Sequence, residues 1–175
     1  EHFNKDLKGL KVAVFGSGPV GVSAAMLAAK QGASVKLCQL LADDDQAAAK
    51  RFFERYKTDV QWVSTQTNKE KTTEIADVEV IICAARAGIR ILEGPLNNAK
   101  NLLVVADTNA VPPSGILGVN LHDLGAPVDY GCGSFRSIGA LAIGNLKYKT
   151  QLGLFKEIQK TSKAALIDLP EAYAF

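Results

Sequence analysis

The sequence has few cysteines, few histidines and almost no net charge, and each shortage excludes a class of protein. Its three cysteines, Cys38, Cys83 and Cys132, stand far apart without Cys-x-x-Cys spacing, so neither a disulfide framework nor a zinc cluster is predicted. The two histidines are too isolated to form a metal or catalytic pair. Because 20 Lys and Arg residues nearly balance 18 acidic residues, we expect no nucleic acid or anionic membrane as the main partner.

Long apolar runs are also missing. None approaches the roughly 20 residues that a bilayer-spanning helix needs, so no membrane association is expected. Residues 1–6 show no hydrophobic region of a signal peptide, and the expected location is a reducing cytoplasm. A chain of 175 residues is long enough to bury a core, and we predict a single domain over residues 1–175.

What the sequence does contain is a regular alternation of apolar runs and helical patterns. We predict strands at 11–15, 34–40, 60–63, 78–84, 101–106 and near 128–130, and helices at 19–31, 44–57, 68–76, within 87–98 and over about 137–165. Such alternation is typical of parallel strands joined by crossover helices. The predicted fold is therefore α/β, with a doubly wound, mainly parallel sheet of the Rossmann NAD(P)-binding type.

The stretch VAVFGSGPVG, Val12 to Gly21, places the spacing G-x-G-x-x-G directly after a predicted strand and at the start of a predicted helix. In such a loop Gly16 makes the tight turn, Gly18 lets the backbone approach a pyrophosphate, and Gly21 lets helix and strand pack closely. The helix N-terminus then offers free N–H groups to the phosphates. The stretch predicts a dinucleotide-binding loop; the alternative is a strand–helix turn that binds no ligand.

The end of the second predicted strand bears on which dinucleotide binds. A conventional NAD site has Asp or Glu there to bind the ribose hydroxyls. In this chain Gln39 is the best-placed polar side chain, and Leu40 and Leu41 follow it. The acidic residues 43–45 come later, where capping of a helix is the favoured role. The cofactor is thus NADP or NAD, and the sequence leaves the choice open.

Polar residues also follow the fourth and fifth predicted strands. Asp107 and Asn109 lie where open α/β sheets bind ligands, although Asp and Asn also make ordinary turns. Arg86 and Arg90 could meet a phosphate or a carboxylate, with a solvated helix face as the favoured alternative. Lys147 lies on a polar stripe of the last predicted helix, where a plain surface lysine is the alternative.

Four segments together resemble the methylene-tetrahydromethanopterin dehydrogenases: VAVFGSGPVGVSAAMLAAKQGASVKLC, QAAAKRF, VADTNAVPPSGILGV and SFRSIGALAIGNLKYK. The resemblance covers nearly the whole chain but only the nucleotide-binding half of that family, so we expect the family's N-terminal region to be absent. It implies an NAD(P)-dependent oxidoreductase of C1 metabolism. The reaction would transfer a hydride from methylene-tetrahydromethanopterin, or methylene-tetrahydrofolate, to the nicotinamide.

The same resemblance implies a small-molecule pterin substrate and a set of site residues. It assigns Gly16, Ser17, Gly18, Pro19 and Val20 to the pyrophosphate loop. It places Ala84 and Ala85 beside the nicotinamide ribose, and Asp107 and Asn109 near the nicotinamide. Lys147, in a G-x-L-K segment, is expected to contact the pterin as the catalytic residue.

One departure concerns the cofactor, because the NADP-using members carry a basic segment where this chain has Gln39-Leu40-Leu41. The alternative function is a dinucleotide-binding module without catalytic activity of its own. Whether the chain forms a homo-oligomer stays open.

Overall fold

A computed structural model describes residues 6–41, 46–130, 133–162, 164 and 166–174. Within these residues the strands are β1 (Lys11–Phe15), β2 (Ser34–Gln39), β3 (Gln61–Ser64), β4 (Val80–Cys83), β5 (Val104–Asp107), β6 (Leu124–Tyr130) and β7 (Gly133–Ile138). The helices are α1 (Pro19–Lys30), α2 (Gln46–Arg55), α3 (Asn68–Glu74), α4 (Ala140–Gln159) and α5 (Leu169–Ala174). None of these helices is long and apolar enough to cross a membrane.

The strands form one sheet in the order β3-β2-β1-β4-β5-β7-β6, in which only the β6–β7 pair is antiparallel. The chain builds outward from β1 to β3 and then crosses to β4 on the other side of β1. This reversal leaves a crevice at the carboxyl ends of β1 and β4, where open α/β sheets bind ligands. The predicted α/β fold with a doubly wound, mainly parallel sheet is confirmed.

Both faces of the sheet are covered, which explains the continuous apolar strands. In β1 the side chains of Val12 and Val14 pack on one face with residues of α1 and α2. Those of Ala13 and Phe15 face a second core that contains Ile75, just after α3. Residues of the irregular segments 85–103 and 111–122 complete this second core.

The helix predicted within residues 87–98 is wrong. This segment is irregular: Gly88 has φ +76°, and the backbone of Leu92 bridges to Ile116 in parallel. Pro95 lacks an N–H, and the residue before a proline disfavours helical geometry. The apolar side chains of Ile91, Leu92 and Leu96 are buried in the second core without a helix.

The long helix predicted over residues 137–165 is wrong at both ends. Residues 133–138 form β7, which pairs in parallel with β5, and the helix α4 covers Ala140–Gln159. Gly139 lies between them as the N-cap of α4. A glycine is needed there because a Cβ would overlap the carbonyl oxygen of Asn120. The strand predicted near 128–130 begins earlier, at Leu124.

Candidate functional site

The first glycine loop connects β1 to α1 at the carboxyl edge of the sheet. The N–H of Gly16 donates to the carbonyl of Cys38 at the end of β2 (3.2 Å), which fixes the loop against the neighbouring strand. Gly18 is the N-cap of α1, has no side chain to cap the first N–H groups, and no acidic residue lies in the first turn. The helix therefore presents uncapped N–H groups and its partial positive charge at this edge.

The three glycines are required for different reasons. A Cβ on Gly16, which has φ +109°, would lie 2.6 Å from the carbonyl oxygen of Ala84, and a Cβ on Gly21 would overlap the carbonyl oxygen of Gly16. Both glycines are thus explained by packing within the chain. Gly18 has φ −70°, which any residue adopts, and a Cβ there would meet no described atom within 4 Å. The packing of the described residues does not require a glycine at position 18.

A cavity of about 560 Å³ opens beside this loop, and we call it the loop cavity. It brings together five of the residues predicted to bind the cofactor: Gly16, Ser17, Gly18, Ala84 and Ala85. Its other lining side chains come from the segments that follow β2, β3 and β4, and from α3; they are Leu40, Leu41, Gln66, Lys71, Arg86, Ile89, Arg90 and Ile91. The cavity therefore occupies the crevice that the strand order creates.

Pro19 and Val20 lie at the first turn of α1 but do not line the loop cavity. Pro19 lines a neighbouring cavity of about 470 Å³ between α1 and α2, together with Ser17 and Gly18. Val20 is 58% exposed. Contact of these two residues with the pyrophosphate stays a prediction.

Gln39 is buried, and its side chain is engaged in the protein. Its Oε1 accepts hydrogen bonds from Gln46 Nε2 and Trp62 Nε1, each at 3.0 Å. The residue lines neither of the two cavities. Its predicted contact with the cofactor stays a prediction, and residues 43–45 lie outside the described residues.

Asp107 and Asn109 organise the loop after β5. Asp107 is buried; its Oδ1 accepts from the N–H of Asn109 (2.9 Å) and its Oδ2 from that of Ile116 (3.0 Å). Asn109 Oδ1 accepts from the N–H groups of Gly88 and Val111, and its Nδ2 donates to the carbonyl of Pro113. Direct contact of either side chain with the cofactor stays a prediction.

Lys147 lies apart from these residues. Its side chain is exposed on α4 and lines neither of the cavities at the glycine loop. The two described cysteines, Cys38 and Cys83, do not line the loop cavity either. Both are buried free thiols, and burial raises the pKa of each to about 12. Among the described residues, no three His, Cys, Asp or Glu side chains are grouped to hold a metal ion.

Sequence reasoning missed several residues of the loop cavity, above all Gln66, Lys71 and Ile89. Gln66 follows the carboxyl end of β3, so the rule that ligands bind at that edge could have found it. Lys71 on α3 and Ile89 in an irregular segment carry no such signal. They reach the cavity only because the chain folds α3 and residues 85–91 over it.

The sequence is similar to known proteins. Residues 5–89 match the family model described as alanine dehydrogenase/PNT, C-terminal domain. The chain is 36% identical, over 98% of its length, to the NAD(P)-dependent methylenetetrahydromethanopterin dehydrogenase of Methylorubrum extorquens, and covers 58% of that protein. It is 34% identical, over 82% of its length, to the bifunctional protein MdtA of the same organism, and covers 48% of it.

Among solved structures, the transhydrogenase from Sinorhizobium meliloti superposes on 87% of the chain with a TM-score of 0.55 at 20% identity, the match covering 45% of that chain. This likeness supports the fold alone. The resemblance to methylene-tetrahydromethanopterin dehydrogenases is confirmed by the sequence identity, and the chain spans between about half and three fifths of the length of these curated relatives.

Proposed function

We propose that the chain is the cofactor-binding part of an NAD(P)-dependent dehydrogenase of a methylene-pterin C1 carrier. The observation that carries the proposal is Gly18, which the packing of described residues does not require and which lies where α1 presents uncapped N–H groups to a cavity. A glycine at that point allows a pyrophosphate to approach the backbone. The identity to a methylenetetrahydromethanopterin dehydrogenase supports the substrate class.

In the proposed reaction a hydride moves from the methylene carbon of the carrier to C4 of the nicotinamide. The carrier becomes a methenyl cation, which its own adjacent nitrogen stabilises. The nicotinamide would act as the hydride acceptor when it is bound, so the part of this chain's residues is to bind and orient the cofactor. No general acid or base is needed for the hydride step itself, and positioning of the two reacting carbons is the main requirement.

Each group of residues has a proposed part in this positioning. The backbone of Gly16–Gly18 and the first turn of α1 hold the pyrophosphate, and the apolar side chains of Leu40 and Ile89 provide walls for the adenine. The hydrogen bonds of Asp107 and Asn109 hold the loop after β5 in one shape. Lys147 is proposed as the polar contact with the pterin.

A dinucleotide-binding module without catalysis is the second candidate. The exposed position of Lys147, outside the cavities at the glycine loop, favours it. The cofactor is NADP or NAD in either case. The buried free thiols of Cys38 and Cys83 agree with the proposed reducing cytoplasm.

The two candidates differ in turnover. The test measures formation of reduced nicotinamide by absorbance with methylene-tetrahydromethanopterin or methylene-tetrahydrofolate, and with NAD or NADP, for this chain and for any longer chain that contains it. The enzyme proposal predicts turnover that Lys147→Ala lowers about tenfold or more while dinucleotide affinity is kept. Lys149→Ala, an exposed lysine on the same helix, is the matched control and should keep full turnover.

Dinucleotide binding without turnover, both by this chain and by any longer chain that contains it, would favour the module. Failure to bind either dinucleotide would contradict both candidates.

A further inference from the structure

One wall of the loop cavity carries positive charge without a visible counter-charge. Lys71, Arg86 and Arg90 line it, and no Asp or Glu is found among its described lining residues. The end of β2 contributes the apolar residues Leu40 and Leu41 to the lining. The cations of this cavity therefore come from α3 and from the segment that follows β4.

The three cations differ in how far the protein already satisfies them. Lys71 Nζ donates to the carbonyl of Ile91 (3.1 Å) and to Asn68 Oδ1 (3.4 Å), and Arg86 is exposed to solvent. Arg90 is different, because its Nη1 is buried and has no hydrogen-bond partner within the part of the chain that the structure describes. A guanidinium is a cation with five N–H donors and no acceptor of its own.

The backbone fixes the position of Arg90. Two residues before it, the N–H of Gly88 donates to Asn109 Oδ1 (3.2 Å). Directly after it, the N–H groups of Ile91 and Leu92 both donate to the carbonyl of Gly115, at 2.8 and 3.0 Å. The segment is thus tied to the loop after β5 on both sides of Arg90, which restricts where its side chain can lie.

We propose that Arg90 binds a phosphoryl group of the dinucleotide, an inference that rests on the proposed function. A buried guanidinium nitrogen with unused N–H groups needs an acceptor, and leaving it unsatisfied is unfavourable. Its planar fork matches the oxygens of a phosphoryl group. The cavity that Arg90 lines is also lined by Gly16, Ser17 and Gly18, the N-cap of α1, and phosphate oxygens find backbone N–H groups at such a loop.

Two phosphoryl groups share this chemistry, the pyrophosphate of either dinucleotide and the 2′-phosphate of NADP. If the pyrophosphate is bound, Arg90 strengthens NAD and NADP alike. If the 2′-phosphate is bound, Arg90 supplies the cation that the end of β2 lacks, and it selects NADP over NAD.

The test compares wild type, Arg90→Gln and Arg90→Lys by isothermal titration calorimetry with NAD and with NADP at one fixed salt concentration. Loss of a charge-assisted hydrogen-bonded contact predicts affinity weakened roughly 10- to 100-fold in Arg90→Gln. Arg90→Lys keeps the charge without the fork and should lie between the two. Lys100→Gln removes one charge at the opposite, amino-terminal edge of the sheet and should change affinity less than about twofold.

Equal weakening for both dinucleotides assigns Arg90 to the pyrophosphate, and weakening confined to NADP assigns it to the 2′-phosphate. Without dinucleotide, Arg90→Gln should melt no lower than wild type, since Nη1 has no partner to lose. Wild-type affinity of Arg90→Gln for both dinucleotides would overturn the inference and leave the proposed function standing. A wild-type protein that binds neither dinucleotide would overturn both.

Discussion

Asp107 shows how one buried side chain shapes a loop at the site. Its two carboxylate oxygens accept from the N–H groups of Asn109 and Ile116, which lie at the start and near the end of that loop. The motif VADTNAVPPSGILGV places this residue near the nicotinamide by resemblance, and the structure adds a reason internal to the chain. The aspartate is the acceptor that two buried N–H groups require.

Replacing Asp107 with Asn leaves one of those N–H groups facing the NH₂ donor of an amide instead of an oxygen acceptor. An unsatisfied buried donor costs about 1–3 kcal/mol, so we expect the free energy of unfolding to fall by about that amount. Urea denaturation measures it. Asp59→Asn makes the same chemical change at an exposed position after α2 and should leave the unfolding free energy within about 0.5 kcal/mol of wild type. A matching loss in both variants would contradict the assigned hydrogen bonds.

At the scale of elements, β1, the glycine loop and α1 could be predicted from the sequence because their signals are local. A buried apolar run, three glycines at a fixed spacing and a proline at the first helical position agree with one another. The packing at the start of α1 also explains why glycine is needed at positions 16 and 21. Gly21 lies so close to the carbonyl oxygen of Gly16 that a side chain cannot be placed between them.

We therefore expect Gly21→Ala to lower the free energy of unfolding by about 2 kcal/mol or more, since backbone must move to admit the methyl group. Gly144→Ala is the matched control, because Gly144 also lies in a helix, α4, but a Cβ there meets no described atom within 4 Å. That variant should be more stable by about 0.5–1 kcal/mol. Thermal or urea unfolding decides, and equal effects of the two substitutions would contradict the close packing of α1 on the loop.

The elements that could not be predicted depend on distant partners. Residues 133–138 were not predicted as a strand, and residues 137 and 138 were predicted to begin the last helix, but all six form β7 because β5 offers its free edge, some thirty residues earlier in sequence. Residues 87–98 bury apolar side chains without a helix because Gly115 and Ile116 supply their backbone partners. The sequence analysis named Arg90 as a possible contact of a phosphate or carboxylate but favoured a solvated helix face, whereas the structure assigns it to the loop cavity.

At the scale of the whole molecule, the strand order decides where a ligand can bind. The reversal between β1 and β4 brings the glycine loop, Ala84, Ala85 and Arg90 to one crevice, although they are up to 74 positions apart in sequence (16 to 90). The sequence predicted this crevice through the fold class and the first loop. The place of Lys71 in its lining and the hydrogen bonds of the Gln39 side chain to Gln46 and Trp62 depend on tertiary packing and could not be predicted.

The central claim is that the glycine loop binds a nicotinamide dinucleotide, and Gly18→Val tests it most directly. The variant places a branched side chain where the pyrophosphate must approach, yet a Cβ at position 18 meets no described atom within 4 Å. We expect its free energy of unfolding to stay within about 1 kcal/mol of wild type.

The measurement is calorimetric titration of wild type and Gly18→Val with NAD and with NADP. The account predicts that wild type binds at least one of the two and that Gly18→Val, still folded, binds it at least about tenfold more weakly, because the pyrophosphate can no longer reach the backbone N–H groups at the start of α1. A folded Gly18→Val protein with the dinucleotide affinity of wild type would contradict it.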